Sequence, residues 1–264
     1  MNTWEKFEIE CTDFLNDRFG TYAKFIHQGG TISTIPDILV EKNTGSSFYI
    51  EVKHAPAQCG QFVLLPDSET KTFIYSPRND ICINEYSQEI INFMNNDFNL
   101  FKKAGTTGKD IDMPNSSNIF SNWIISAYKR KNVKFFITNN YTILPIERFL
   151  EYFNVTAKYR VKKSGSSNVG KKYLDLVKNY ILSHNYEITQ TRIEKNNLFA
   201  VSSQELKNNK FTLGGIEYMF SPRNNEYELR KLSKTNNSNV IFSIEYKASI
   251  PGISETKFIN YLKK

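Results

Sequence analysis

The residues with the clearest chemical potential lie near the start of the chain. Asp37 follows Pro36, and after thirteen intervening residues comes Glu51-Val52-Lys53. If the two segments are neighbouring strands of a hairpin, Asp37 and Glu51 meet at the same end of it. Glu51 and Lys53, two apart on a strand, then share a face. Two carboxylates and an ammonium would surround one point. Mg²⁺ suits such a place, because it binds through a few carboxylate oxygens and fills its other positions with water and phosphate oxygens. A cation held there acidifies a water and polarises a phosphoryl oxygen, and a lysine beside it positions that water or stabilises charge developing on phosphorus. Glu-x-Lys alone is weak evidence and recurs at Glu69–Lys71, Glu245–Lys247 and Glu255–Lys257. What sets residues 51–53 apart is the acid on the preceding apolar strand. The competing reading makes Asp37 the end of a turn and Glu51 and Lys53 a solvated face.

The elements that must position these groups follow from periodicity. Residues 2–19 read as an amphipathic helix, with Asn2 as N-cap, Glu5 at the capping-box position and Gly20 as its stop. Residues 37–40 and 48–53 read as strands joined at Asn43-Thr44-Gly45, a hairpin turn sequence. A third strand spans 61–65. A helix is predicted over 85–103, a loop over 104–118, a helix over 119–131 and strands over 133–138 and 141–144. A short helix near 146–153 leads to a basic strand, 156–163, ending in a turn at Ser164–Ser167. Beyond it the pattern gives a helix over 171–183 and strands at 186–192, 210–220, 226–232 and 239–247. Ser254 caps a last short helix. Helices interspersed with strand groups predict an α+β fold of mixed β-sheets flanked by helices.

Two further stretches carry polar groups suited to a nucleic-acid partner. Gln58 and Gln61 flank a glycine directly after the carboxylate–lysine segment, and carboxamides hydrogen-bond bases or phosphates without a charge cost. Lys158, Arg160, Lys162 and Lys163 run into Ser164, Gly165 and Ser166, with Arg160 and Lys162 on one face of a strand. Such a junction can enter a DNA groove; a solvated basic edge strand is the plainer alternative.

Composition is consistent with a folded chain: 40% of residues are hydrophobic and 14% aromatic, which argues against wholesale disorder. The net charge of +7 is unevenly spread. Residues 1–150 carry 15 basic and 17 acidic side chains, whereas 151–264 carry 19 and 10. The second part therefore suits a polyanion, with a merely lysine-rich solvated surface as the equal alternative from charge alone. Three scattered cysteines and three scattered histidines lack zinc-ligand spacing. No apolar run has the length of a membrane span, and the first residues do not read as an export signal, so a cytoplasmic protein with no membrane partner is expected.

Taken together, Asp37/Glu51-x-Lys53 resembles the PD-(D/E)XK nuclease superfamily. More closely, four stretches are similar to the GCGC-cutting type II restriction endonucleases of the HhaI type. They are Phe48–Lys53 with Gln58–Leu64, Asn122–Ile124, Val133–Thr138, and Tyr152–Val155 with Tyr159–Ser166. A fifth, Asn239–Ile244, lies near the C-terminus. Pro36 and Val52 stand where relatives can carry Ser and Ala. The resemblance implies a PD-(D/E)XK nuclease core at 1–110, a sequence-recognition domain at 111–170 and a basic C-terminal domain at 171–264 that grips the DNA backbone. It implies Asp37, Glu51 and Lys53 as catalytic residues and Asp37, Glu51 and Val52 as Mg²⁺ ligands. Gln58, Gln61, Lys158, Arg160, Lys162, Lys163, Ser164 and Ser166 would contact DNA. Backbone contacts are expected from Arg192, Lys207, Lys210, Arg223, Arg230 and Lys231. The implied activity is Mg²⁺-dependent cleavage of double-stranded DNA within GCGC by a bacterial monomer, partnered functionally by a DNA methyltransferase. A structure-specific repair nuclease or a catalytically inactive DNA-binding protein is the alternative.

Overall fold

The structure, a computed structural model, describes residues 3–29, 35–247 and 251–264. The N-cap expected at Asn2 lies outside the described residues. Helix α1 (Thr3–Phe19) leads to strands β1 (Ala23–His27), β2 (Ile38–Lys42), β3 (Ser47–Lys53), β4 (Ala57–Asp67) and β5 (Thr72–Tyr75). Helices α2 (Glu85–Asn96) and α3 (Phe98–Lys102) precede the short β6 (Lys109–Asp110). Helix α4 (Ser116–Arg130), β7 (Val133–Thr138), β8 (Thr142–Pro145), α5 (Phe149–Tyr152) and β9 (Phe153–Lys163) follow. The remainder comprises β10 (Ser166–Asn168), α6 (Leu174–Ser183), β11 (Ile188–Glu194), β12 (Asn197–Ser202), β13 (Lys210–Leu213), β14 (Ile216–Arg223), β15 (Glu226–Leu232), β16 (Asn236–Tyr246) and α7 (Glu255–Lys263). This is the α+β arrangement of mixed sheets and helices that the sequence predicts.

Several local differences have identifiable causes. The single helix predicted over 85–103 is broken at Asp97, whose side chain accepts from the Leu100 amide and starts a new helix. The run at 210–220 is a hairpin, because Gly214 and Gly215 both adopt left-handed φ of +57° and +70°. The turn predicted at 164–167 gives way to β10, which pairs Ser166–Asn168 with Leu232–Arg230. Strands β1, β5 and β12 escaped the sequence pattern.

The chain forms two compact units, residues 1–160 with 238–264, and residues 161–237. The first unit holds two sheets, ordered β1-β2-β3-β7-β8 and β5-β4-β16-β9-β6. These limits do not follow the boundaries expected at residues 110 and 170. The reason is packing: β16 lies between β4 and β9, and Phe258 and Leu262 of α7 are fully buried in the core of the first sheet. Burying side chains of that size contributes about 1.5–3 kcal/mol each.

In the first sheet β3 is central, antiparallel to β2 and parallel to β7. A strand covered on both faces reads as a nearly continuous apolar run. Here Phe48, Ile50 and Val52 are buried, and so is Glu51. Helices α1 and α7 cover one face through Leu15, Phe19 and Phe258. On the other face Tyr128 of α4 packs against Phe136 of β7, with ring centroids 5.2 Å apart. The opposite side of α4 meets the second sheet, where Trp123 lies 5.3 Å from Phe62 and 4.6 Å from Phe242.

Strand β4 carries a bulge at the point of that contact. Gln61 pairs with Ile241 and Gln58 with Ser243, so Cys59 and Gly60 together oppose Phe242. Gly60 has φ of +103°, and a Cβ there would stand 2.9 Å from the Trp123 ring. Both strain terms act together, so Gly60→Ala is expected to destabilise the protein by about 1–3 kcal/mol. Denaturant unfolding measures this, and an unchanged midpoint would show that Trp123 does not need the space.

Candidate active site

The hairpin β2–β3 builds the site. Its register pairs Ile38 with Ile50, and one further step sets Asp37 across from Glu51. The next step would set Pro36 across from Val52. The β2–β3 ladder ends before that pair, and the Asp37 carboxylate takes over: its Oδ2 accepts the Val52 amide at 2.8 Å. Glu51 Oε1 accepts from Lys53 Nζ at 2.6 Å and from the Tyr128 hydroxyl at 2.9 Å. The two catalytic candidates on β3 and the acid immediately before β2 are therefore brought together as their spacing predicted. Tyr128 was not visible in the sequence, where it is one apolar-face residue of a helix. Val52 takes part through its amide; the structure assigns no further role to it.

Electrostatics at this point are set by burial and like charge. Burial, then the neighbouring Glu51, pushes the Asp37 carboxyl up to about 7 against the partial relief given by Lys53 and the Val52 amide. For Lys53 burial disfavours the charge, but Glu51 and Asp37 outweigh it and hold the ammonium above the ordinary lysine range. Burial, and then Glu51, likewise drive the Tyr128 hydroxyl well upward, so it stays a donor. Behind it the buried Cys59 thiol is raised to about 12, chiefly by burial. Lys53 is thus a fixed cation and hydrogen-bond donor at neutral pH. The pair of acids, unfavourable side by side, is the donor set a divalent cation relieves.

Among the described residues Asp37 Oδ1 and Glu51 Oε2 have no hydrogen-bond donor, and no three His, Cys, Asp or Glu side chains group to hold a metal. The chain thus offers two acidic side chains, and a hard cation bound by them would complete its shell with water and substrate oxygens. That chemistry fits Mg²⁺.

A cavity of about 400 Å³ opens on these groups and continues along the second sheet. Asp37, Glu51 and Lys53 line one part of it, and Gln58 and Gln61 another. On a regular strand residues three apart point to opposite faces. The bulge at Gly60 cancels that offset, so both glutamines are exposed side by side, with Gln58 Nε2 donating to Gln61 Oε1 at 3.3 Å. Arg78 and Lys131, which no sequence pattern marked, add cationic groups to the wall.

The basic segment divides between the two units. Lys158 and Arg160 lie on β9 in the same sheet as the glutamines, with Lys158 Nζ 3.3 Å from Asp110. Lys162, Lys163, Ser164 and Ser166 belong to the second unit. There Lys163 Nζ is 3.1 Å from Glu217, and Ser164 bonds Ser233 and Thr235. Ser166 receives Arg230 on its carbonyl at 3.1 Å. Lys162 is exposed.

The second unit carries 13 Lys and Arg against 7 Asp and Glu. Four of the six cations expected to face DNA there are held by glutamates. Arg192 pairs with Glu194 and Glu226, Lys210 with Glu217, and Arg223 and Arg230 with the buried Glu228. Lys231 instead lies over the Tyr173 ring at 5.4 Å, and Lys172 flanks the same ring at 5.7 Å.

No family model and no curated protein matches the chain. Among solved structures it is similar to HhaI endonuclease in complex with DNA, with a TM-score of 0.73. The two are 36% identical, and the match covers 100% of this chain and 99% of that one. Likeness of fold along the whole length, with the hairpin acids, Lys53 and the β4 glutamines around one cavity, leads to one assignment: the chain belongs to the HhaI endonuclease family.

Proposed function

We propose that the protein is a type II restriction endonuclease that hydrolyses phosphodiester bonds of double-stranded DNA at a short palindromic site, GCGC. The observation that carries this reading is the juxtaposition of Asp37, Glu51 and Lys53 with Gln58 and Gln61 around one cavity, in a chain of this family. Asp37 and Glu51 would hold Mg²⁺, with Val52 as the remaining candidate ligand. When bound, the ion supplies an acidified water and a polarised phosphoryl oxygen. Lys53, fixed on Glu51 and kept charged, orients the attacking water and donates to oxygen as negative charge develops. Tyr128 donates to the same Glu51 Oε1 as Lys53, so two donors hold that oxygen in place. Gln58, Gln61, Lys158, Arg160 and Lys162 are the groups offered to bases and phosphates, with Lys163, Ser164 and Ser166 ordering the start of the second unit. The enzyme would act as a monomer, beside a methyltransferase that protects the same site.

Asp37→Asn and Glu51→Gln are expected to lower cleavage of the cognate duplex in Mg²⁺ by about three orders of magnitude. Binding of the same duplex in Ca²⁺, read by fluorescence anisotropy, should stay within a few-fold of wild type. The reading fails if Asp37→Asn cuts plasmid DNA at close to the wild-type rate.

The raised Asp37 carboxyl makes stability depend on pH. Folded, it keeps its proton up to about pH 7; its ordinary value is 3.8. The folded state therefore binds the proton more tightly, and this group's contribution is complete below about pH 4 and lost as pH rises through 7. In chelator, Asp37→Asn should melt above wild type at pH 8, with the gain shrinking steadily toward pH 4. A gain constant with pH would mean that Asp37 is not perturbed.

In the second unit, Lys171, Lys172 and Lys231 make no ion pair among the described residues. Changing these three to Gln should flatten the slope of log K against log salt by up to about 0.9 per lost phosphate contact. The same change at the glutamate-paired Arg192, Arg223 and Arg230 should flatten it less. Equal effects from both triples would show that the glutamate pairs open on DNA.

A further inference from the structure

We propose that Asn239 is a positioning residue for sequence recognition: it fixes the Gln61 carboxamide as a hydrogen-bond donor toward the O6/N7 edge of a guanine in bound DNA. This rests on the reading of the protein as a DNA endonuclease and adds to it a residue and a polarity.

The geometry begins with the β4 bulge, which places Gln58 and Gln61 on one face, both exposed and both lining the cavity that holds the acids. Asn239 stands on the adjacent β16 and is only 6% exposed. Its Nδ2 donates to Gln61 Oε1 at 3.1 Å, and the same oxygen accepts from Gln58 Nε2 at 3.3 Å. Both lone pairs of Gln61 Oε1 are thereby used. What remains to face outward is Gln61 Nε2, a group with two N–H donors and no acceptor.

The relay has a direction because of its buried end. Asn239 Oδ1 is buried and makes no hydrogen bond among the described residues. Rotating both carboxamides would turn Gln61 Oε1 outward, and would leave the Asn239 amino group buried without an acceptor instead. Orphaned buried N–H groups are rarer than under-satisfied carbonyls, so the polarity with Gln61 as donor is the favoured one. In the major groove guanine offers two neighbouring acceptors, O6 and N7. Adenine places a donor beside its N7, and cytosine presents a donor. Thymine presents a single acceptor, O4, beside its methyl group, so a group that only donates is best satisfied by guanine, and it is presented from the same cavity as the catalytic acids.

The test uses the full-length protein and the duplex it cuts, identified by sequencing the ends of digested plasmid. Absence of any cutting by wild type in Mg²⁺ would remove the endonuclease reading itself. Given cutting, binding is measured in Ca²⁺ to that duplex and to versions with 7-deazaguanine, which lacks the N7 acceptor, at one guanine at a time. Wild type should lose about 5- to 150-fold at one guanine, the range for a base contact. Asn239→Asp puts an acceptor against Gln61 Oε1 and turns the carboxamide round; Gln61→Glu removes the donor on the exposed side without touching the buried residue. Both should weaken binding of the unmodified duplex by a similar factor. Both should also become insensitive to 7-deazaguanine at that position, read as the ratio of unmodified to modified duplex within each variant so that the effect of the carboxylate each one adds cancels. Retention of wild-type 7-deaza sensitivity by Gln61→Glu overturns the proposal, as does a wild type insensitive at every guanine. If Gln61→Glu loses sensitivity while Asn239→Asp, folded by circular dichroism, keeps it, Gln61 reads the base without Asn239, and the positioning role falls.

Discussion

Two carboxylates forced together at the end of a buried strand are the constraint around which this molecule is organised. Side by side and away from water, Asp37 and Glu51 repel each other, and the cost is visible in the raised Asp37 carboxyl. Three donors hold the arrangement: the Val52 amide on Asp37, and Lys53 and Tyr128 on Glu51. None of them is incidental to the fold. The Val52 amide stands where the β2–β3 ladder stops short of Pro36, Lys53 shares the face of Glu51 because a strand has period two, and Tyr128 arrives on a buried helix. Leaving either acid without these partners would bury an uncompensated charge, which is among the costlier things a protein can do.

Helix α4 carries that constraint into the second sheet. Its Tyr128 holds Glu51, while Trp123, five residues earlier, fills the space over Gly60 on β4. One rigid element thus fixes the acid that would hold the metal and the bulge that aligns Gln58 with Gln61. Aromatic rings dominate this contact: Phe120, Trp123, Phe62 and Phe242 form one packed group. Such rings tolerate little displacement, because close-packed interiors transmit strain instead of absorbing it. The buried acid and the exposed glutamines are thus tied to the same helix.

The second unit follows a different logic. Its excess of cations suits a polyanion, yet all three of its arginines pair with glutamates, and Glu228 alone draws in two of them. Its own core, from Val177 and Ile181 of α6 to Phe220 and Leu229 of the sheet, makes it a compact body. Surface charge counted from the chain overstates what is available, since a paired guanidinium offers less to a phosphate than a solvated ammonium does.

Local sequence determined the hairpin that joins Asp37 to Glu51-Val52-Lys53, the α+β class, and the positions of α1, α4, β3, β7 and α7. Each of these depends on interactions within a few residues: apolar periodicity, a turn sequence at Asn43-Thr44-Gly45, the cap at Ser254. Strands β1, β5 and β12 were illegible because short strands draw their stability from neighbours far along the chain. The bulge at Gly60 was illegible because Trp123, sixty-three residues on, is what makes a glycine necessary there. Tyr128 and Asn239 looked like ordinary members of a helix and a strand. Only tertiary structure, by bringing α4 onto β3 and β16 beside β4, gave their polar atoms something to hold. The return of β16 and α7 to the first unit was decided in the same way, by the burial of Phe242, Phe258 and Leu262 against elements drawn from residues 1–160. Proximity in space between residues remote in sequence leaves no periodic trace, and the finer features of this site consist of such proximity.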